Sequence, residues 1–266
     1  MAFELVGTDS LVIVAALVGL VGFFYSNLGL GGGQLYVPIM DLLFVSLVMK
    51  EIVPLSLCFA FVTMASATYS HSRKGLVDFK LGSFLAAGGL VGVVIGVLFT
   101  TTVDERMVKF GFAALLLVVA TKMLHDMYRK EQRSNTSAKP DSSRRVAGVC
   151  VSVLTGFLVG SFGIGGGVVS VPLIIYVFRF ETRKAIGTSA LVGAILTPAA
   201  FAAYALREGV TIHYDLALTL TPIIFIMALV GSAWGLQKLK TKMVKTIFTG
   251  GMYLAAAEMV YSLLAS

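Results

Sequence analysis

The sequence is poor in charge. Asp, Glu, Lys and Arg make up 13% of its 266 residues, and 57% are hydrophobic. A soluble domain of this length carries roughly 25% charged residues, so most of this surface faces something other than water. Cysteine is scarce too: the two present, Cys58 and Cys150, lie inside apolar runs with no histidine nearby. That is a poor metal site and suits small apolar fillers between helices. The three histidines, His71, His125 and His213, all fall in gaps between runs, where a lone histidine is usually a surface residue. This leaves a Ser/His nucleophile or a metal pair inside the membrane with little support. The formal charge of +7 is not gathered into a basic stripe interleaved with aromatics, which excludes a nucleic-acid partner. The first ten residues hold no Lys or Arg, so the first run is expected to be a retained helix rather than a signal peptide.

What the sequence has in quantity is long apolar runs, and its mean hydropathy is +0.90. They fall at about 10–26, 34–49, 53–70, 82–100 and 107–124, then at about 147–162, 168–178, 186–205, 215–236 and 244–263. Runs near 20 residues span a bilayer, and in lipid they must be helices, because every backbone polar group needs an internal partner. The expected fold is an all-α polytopic membrane protein. Its parts are a first membrane repeat at 1–124, a polar cytoplasmic linker at 125–145 and a second repeat at 146–266.

Orientation follows from the basic residues. With ten crossings and the N-terminus outside, 17 of the 21 Lys and Arg fall in inside gaps, leaving only Lys50, Arg106, Lys109 and Arg207 outside. That bias satisfies the positive-inside rule and predicts a multi-pass protein of the cytoplasmic (inner) membrane with both termini outside.

The halves repeat. Gly29-Leu-Gly-Gly-Gly-Gln-Leu-Tyr-Val-Pro38 in the first matches Gly163-Ile-Gly-Gly-Gly-Val-Val-Ser-Val-Pro172 in the second, at an offset of 134. Gly22-Phe23 with Gly156-Phe157, Lys50 with Lys184 and Gly75 with Gly209 keep that offset, and Leu90-Val91-Gly92 matches Leu229-Val230-Gly231 at 139. Five crossings is an odd number, so two copies in one chain must lie in opposite orientations, as in the inverted repeats of secondary transporters.

Consecutive glycines are poor helix formers, so each motif should break its helix and leave unpaired N–H groups at the start of the next. Such a helix start attracts anions. From Gly167 to Arg179 the chain reaches about 18 Å as helix, and from Gly33 to Lys50 about 25 Å. The second arm therefore stops short of a ~30 Å hydrocarbon core. A phosphate-binding P-loop is excluded because no Gly-Lys-Ser/Thr follows either motif. Gly92, Gly96, Gly231 and Gly235 read as close-packing positions between helices.

The doubled GxGGGxxxxP, together with Gly187-Thr188-Ser189 and Gly75 followed by Asp78, resembles the TauE/SafE family of sulfite exporters and related permeases. The resemblance covers nearly the whole chain. It implies export of sulfite or organosulfur anions, sulfonates such as sulfoacetate among them. The first repeat departs from the Gly-Thr-Ser pattern, reading Val53-Pro54-Leu55-Ser56.

The expected anion site lies between the two glycine loops. Its main donors are the backbone N–H groups of Gly31, Gly32, Gly33, Gly165, Gly166 and Gly167, with Asn27, Gln34 and Ser161 beside them and Ser56, Thr188 and Ser189 adding hydroxyls. With no Lys or Arg in the middle of a run, affinity should come from dipoles. Among the few charges within runs, Asp41 and Glu258 are the main carboxylates and the candidates for proton coupling. No cofactor is implied. The competing readings are a divalent-metal permease, an intramembrane enzyme and a membrane scaffold that transports nothing.

Overall fold

A computed structural model describes residues 8–44, 47–128, 142–238 and 241–265. Among them are ten helices: α1 Thr8–Leu28, α2 Gly33–Leu43, α3 Met49–Ser72, α4 Phe79–Thr102, α5 Glu105–Tyr128, α6 Ser142–Phe162, α7 Gly167–Tyr176, α8 Thr182–Ala205, α9 Tyr214–Lys238 and α10 Thr241–Ala265. No strand occurs among the described residues. Five helices are long and apolar enough to cross a membrane, with spans Leu11–Leu28, Met49–Ser72, Phe79–Thr102, Thr182–Ala205 and Tyr214–Ala233. Large apolar side chains stand exposed along them, among them Val12, Val91, Val94 and Leu218, as a lipid-facing surface requires. The protein is a multi-pass helical membrane protein. Of the two cysteines, Cys58 meets the Thr221 hydroxyl at 3.5 Å, whereas Cys150 is exposed rather than packed between helices.

The helices break where the glycines fall. Gly29 to Gly32 separate α1 from α2, and Gly163 to Gly166 separate α6 from α7. Gly32 and Gly166 immediately precede the new helices with φ of 86° and 81°, a left-handed conformation that disfavours any residue with a Cβ. The helices that follow are short: α2 has 11 residues and α7 has 10, about 16 and 15 Å of rise. The first arm is thus shorter than its apolar run suggests. Apolarity continues past Leu43, but the helix ends there, at Phe44 with φ −115° and ψ 65°.

Neighbouring helices come mainly from opposite halves. The most extensive packing joins α4 to α6, α1 to α9, α3 to α8, α5 to α10, α3 to α9 and α4 to α8. Exchanging each helix for the one five places on maps this set onto itself. Directions follow from the contacts. Gly19 meets Ile223 and Met227, and Gly231 meets the Phe23 carbonyl, so α1 and α9 run parallel. Gly89 meets Ser152, and Gly96 meets Phe157 and Ser161, so α4 and α6 run parallel. Met64 meets Gly193 and His71 meets Gly187, so α3 and α8 run antiparallel. These close approaches rest on small residues, as association in lipid favours.

The contacts also fix the register between the halves. Gly96 lies against the carbonyl of Phe157 and Gly231 against that of Phe23, so Gly231 corresponds to Gly96, at an offset of 135. The sequence match of Gly231 with Gly92 is one helical turn out, because small residues recur every fourth position along α4. Likewise α3 and α8 begin at Met49 and Thr182, an offset of 133, which pairs Ser56 with Ser189 and moves Lys50 out of line with Lys184.

Candidate functional site

The two glycine loops cross each other at the centre of the bundle, backbone against backbone. A Cβ built on Gly31 would stand 2.9 Å from the Gly165 Cα, and one on Gly165 would stand 2.9 Å from the Gly31 Cα. Gly33 lies against the Gly163 carbonyl and Gly167 against the Gly29 carbonyl. No side chain fits at these points. The crossing is pinned by two hydroxyls: Ser56 of α3 donates to the Gly163 carbonyl at 3.1 Å, and Ser189 of α8 donates to the Gly29 carbonyl at 3.3 Å. Each serine thus reaches across to the other half's loop instead of bonding back along its own helix. Replacing either by alanine removes one hydrogen bond, worth about 1 kcal/mol, and leaves a carbonyl unsatisfied. Ser56→Ala and Ser189→Ala should each lower thermal stability in detergent, by closely similar amounts. A large difference between the two would show that the contacts are not equivalent.

Because the loops touch, they do not enclose a ligand at their crossing point. Each loop presents its own N–H groups at the start of the helix that follows. Among the described residues, Gly31, Gly32, Gly33 and Gln34 donate no backbone hydrogen bond, and neither do Gly165, Gly166, Gly167 and Val168. No side chain caps α2 or α7, and both loops are buried. A buried N–H without an acceptor costs about 1–3 kcal/mol, so two groups of donors wait for acceptors in the interior.

The two sides differ. At the α2 start, the Cβ direction of Gly32 meets Tyr36 and Val21 at 2.9 Å, and Tyr36 shares a hydrogen bond with Thr63 at 2.9 Å. Gln34 is 1% exposed, and neither atom of its amide makes a hydrogen bond of normal geometry, although Tyr25 lies beside it. Asn27 donates to the Phe23 carbonyl at 3.2 Å and leaves its Oδ1 buried without a partner. At the α7 start, Gly166 faces Val159 and Thr155, and Val168 takes the place of Gln34.

The other candidates lie apart. Ser161 donates to the Gly96 carbonyl at 3.3 Å, and its own carbonyl accepts from Thr100 at 2.7 Å, which ties it to α4. The Thr188 hydroxyl accepts from the Asp78 N–H at 3.0 Å and so holds the turn before α4. Asp41 sits at the far end of α2, where it binds Lys109 at 2.9 Å; Glu105 reaches the same ammonium at 3.5 Å. Glu258 of α10 is close enough to feel both charges of the Asp41–Lys109 pair, and its Oε2 is buried with no partner. Lys109 was assigned to an outer gap by sequence, yet it lies inside α5. His71, expected at a surface, is 0% exposed. Among the described residues, no three of His, Cys, Asp and Glu converge on one point.

A chain whose broken helices present buried N–H groups at the centre of an apolar bundle has the build of a membrane transporter. Comparison with known proteins agrees. Residues 14–259 match the family model "Sulfite exporter TauE/SafE", and the chain belongs to that family. It is similar to the probable membrane transporter protein YunE of Bacillus subtilis, 24% identical over 94% of this chain and 96% of that one. It is also similar to a probable membrane transporter protein of Xylella fastidiosa, 30% identical over 69% of each chain, and to one from Methanocaldococcus jannaschii, 26% identical over 82% of this chain and 80% of that one. No solved structure matches the chain.

Proposed function

We propose that this transporter is a permease for sulfite or small organosulfonate anions such as sulfoacetate. It lies in the cytoplasmic membrane as two inverted repeats, residues 1–124 and 146–266, joined by a cytoplasmic linker at 125–145, with both termini outside. The antiparallel course of α3 and α8, and packing that is unchanged when the halves are exchanged, support the inverted arrangement. The observation that carries the substrate class is the set of undonated N–H groups at the starts of α2 and α7. The positive ends of two helix dipoles point into the same interior, and an oxyanion is the ligand such donors take.

The α2 side is the better substrate site, because it adds the buried amide of Gln34, a donor that the α7 side lacks. Sulfite and sulfonates present three oxygens, enough to engage an amide and several N–H groups together. The α7 side, with Val168 in place of Gln34, binds more weakly and serves as a stage in transit. Binding by dipoles without an ion pair keeps affinity low, so the cargo is released. An inside-negative potential favours exit of an anion by ~2.3 kcal/mol per charge per 100 mV. Where a proton is coupled, Glu258 is the carboxylate to take it, since Asp41 is already committed to Lys109.

The test is sulfite efflux from proteoliposomes, with acetate, phosphate and Zn²⁺ as competitors. Gln34→Leu removes the buried amide. It should raise the apparent KM for sulfite about tenfold, the effect of losing ~1.4 kcal/mol of binding. The empty protein should lose no more than about 1 kcal/mol, since the only polar neighbour the amide leaves is Tyr25. Gly32→Ala and Gly166→Ala should reduce flux. Unchanged sulfite transport in all three variants would sink the site, and flux blocked by Zn²⁺ but not by other oxyanions would favour the metal permease.

A further inference from the structure

The start of the third helix of each half meets the start of the fourth helix of the other half, and an ion pair joins them at both places. Asp78 is the residue before α4. One of its carboxylate oxygens accepts from the Leu81 N–H at 2.9 Å, and its carbonyl accepts from the Gly82 N–H at 2.9 Å. The other carboxylate oxygen lies 3.7 Å from the ammonium of Lys184, in the first turn of α8. His213 stands before α9 in the same way, its carbonyl accepting from the Ala217 N–H at 3.1 Å. Its Nε2 lies 3.7 Å from a carboxylate oxygen of Glu51, in the first turn of α3.

These are one contact occurring twice. α4 and α9 begin at Phe79 and Tyr214, an offset of 135, which sets His213 in the place of Asp78. α3 and α8 are offset by 133, which sets Lys184 in the place of Glu51. Position and distance agree, but the charges are exchanged. The first pair has its acid before the fourth helix, and the second has its base there. The chemistry differs as well. Lysine and aspartate stay charged across the physiological range, whereas imidazole is the side chain that ordinarily changes charge between pH 5 and 8. The histidine pair is also the drier, its side chains 19% and 18% exposed against 44% and 28% for lysine and aspartate, so salt screens it less. The His213 Nε2 is buried and makes no hydrogen bond, so it has no other partner to give up. Around it, the start of α3 carries Lys50 besides Glu51, α5 carries Glu105 and Lys109, and its own loop and helix carry Arg207, Glu208 and Asp215. Glu105 and Lys109 bind each other, and Arg207 bonds to the Thr101 hydroxyl at 3.3 Å. Among the described residues, Glu51 alone forms an ion pair with the ring.

We propose that the two pairs are matched clasps between the halves, one at each face of the membrane, and that the outer one, His213–Glu51, is closed by protons. With His213 neutral, charge does not join the starts of α3 and α9. With His213 charged, both ring nitrogens donate, and the Nε2–H closes on Glu51. The inner clasp, Asp78–Lys184, stays closed at either pH. A proton from outside thus acts on the outer end without crossing the membrane. An outer end held shut hinders passage between the anion site and that face, so acid outside slows efflux. Which end is outer rests on the proposed orientation, and the slowing rests on the anion-permease reading. The proton dependence of the clasp rests on neither.

Hydrogen–deuterium exchange of the full chain in nanodiscs, corrected for intrinsic exchange rates, reads each clasp separately. Between pH 8 and pH 5.5, peptides covering 48–55 and 209–217 should gain about fivefold protection, whereas peptides covering 77–84 and 182–188 should not change. His213→Gln should remove the gain. Glu51→Lys combined with His213→Asp rebuilds the inner pair at the outer end and should be equally protected at both pH values. No gain in the parent protein, an equal gain at the inner peptides, or a gain that persists in His213→Gln overturns the proposal. Sulfite efflux from proteoliposomes at the two external pH values then reads the consequence. Slower efflux at pH 5.5 that disappears in His213→Gln supports control of transport by the clasp. The same pH ratio in parent and variant would end that link and leave the exchange result standing. Absence of sulfite flux at either pH would count against the permease reading and not against the clasp.

Discussion

Gly33→Ala and Gly167→Ala should each prevent the protein from reaching its native packing. A methyl group at Gly33 would enter the space of the Gly163 carbonyl, and one at Gly167 that of the Gly29 carbonyl. These are backbone atoms inside a crossing fixed on both sides by Ser56 and Ser189, so nothing nearby yields. Relief requires the loops to separate by more than an ångström, which breaks the Gly31–Gly165 contact and both serine hydrogen bonds. A loss on the order of 4–5 kcal/mol is the top of the range for single substitutions, and most of a membrane domain's margin goes with it. The measurement is the yield of monodisperse protein and its melting temperature in detergent.

The control lies in the same chain. Gly75 and Gly209 also have positive φ, 68° and 76°, but nothing stands within 4 Å of their Cβ positions. Alanine there meets only the backbone penalty, about 1–2 kcal/mol. If Gly33→Ala and Gly75→Ala lose stability equally, the glycines of the motif serve conformation alone and the loops do not cross in contact.

That distinction was only half legible in the sequence. Three consecutive glycines, twice, announce a broken helix, because their intrinsic helix propensity is low whatever surrounds them. All ten apolar runs became helices, since lipid leaves the backbone no alternative. What composition does not carry is which atoms the glycines face. The crossing brings together Gly31 and Gly165, 134 positions apart, and no local signal announces that contact. The register of α9 misled for a related reason. Small residues spaced by four give two nearly equal alignments, and only contact with the Phe23 and Phe157 carbonyls separates them. His71 was misread because its neighbours in sequence, Ser72, Arg73 and Lys74, are polar, whereas in space it packs against Gly187 of α8.

Lys109 was missed on the same ground, and it supports the second large effect. Counted by position, it falls in a short outer gap. In the structure it lies on α5 and reaches Asp41, whose side chain is 4% exposed against 16% for the lysine. Asp41 stands in the last turn of α2, where the helix dipole is negative and a carboxylate is disfavoured. The ammonium offsets both the burial and the dipole. Lys109→Met should therefore strand a buried carboxylate and cost about 3–5 kcal/mol, the usual result of breaking one side of a buried pair.

Asp41→Asn should be milder. Lys109 keeps Glu105 at 3.5 Å, and an amide tolerates the helix terminus better than a carboxylate. Combining Asp41→Asn with Lys109→Met removes both charges and should restore most of the stability lost in Lys109→Met alone, a coupling of at least ~2 kcal/mol in a double-mutant cycle. Melting temperatures of the three variants against the parent read it directly. Additive losses would mean that the two groups do not depend on each other, and that the end of α2 is held by its apolar contacts alone. A positive coupling makes α2 a half-helix clamped at both ends: by backbone contact at Gly33, where the anion donors are, and by charge at Asp41, beside the unpartnered carboxyl of Glu258. A proton taken up by Glu258 would then change the balance of charge around Lys109, at the opposite end of the same short helix that presents the anion donors.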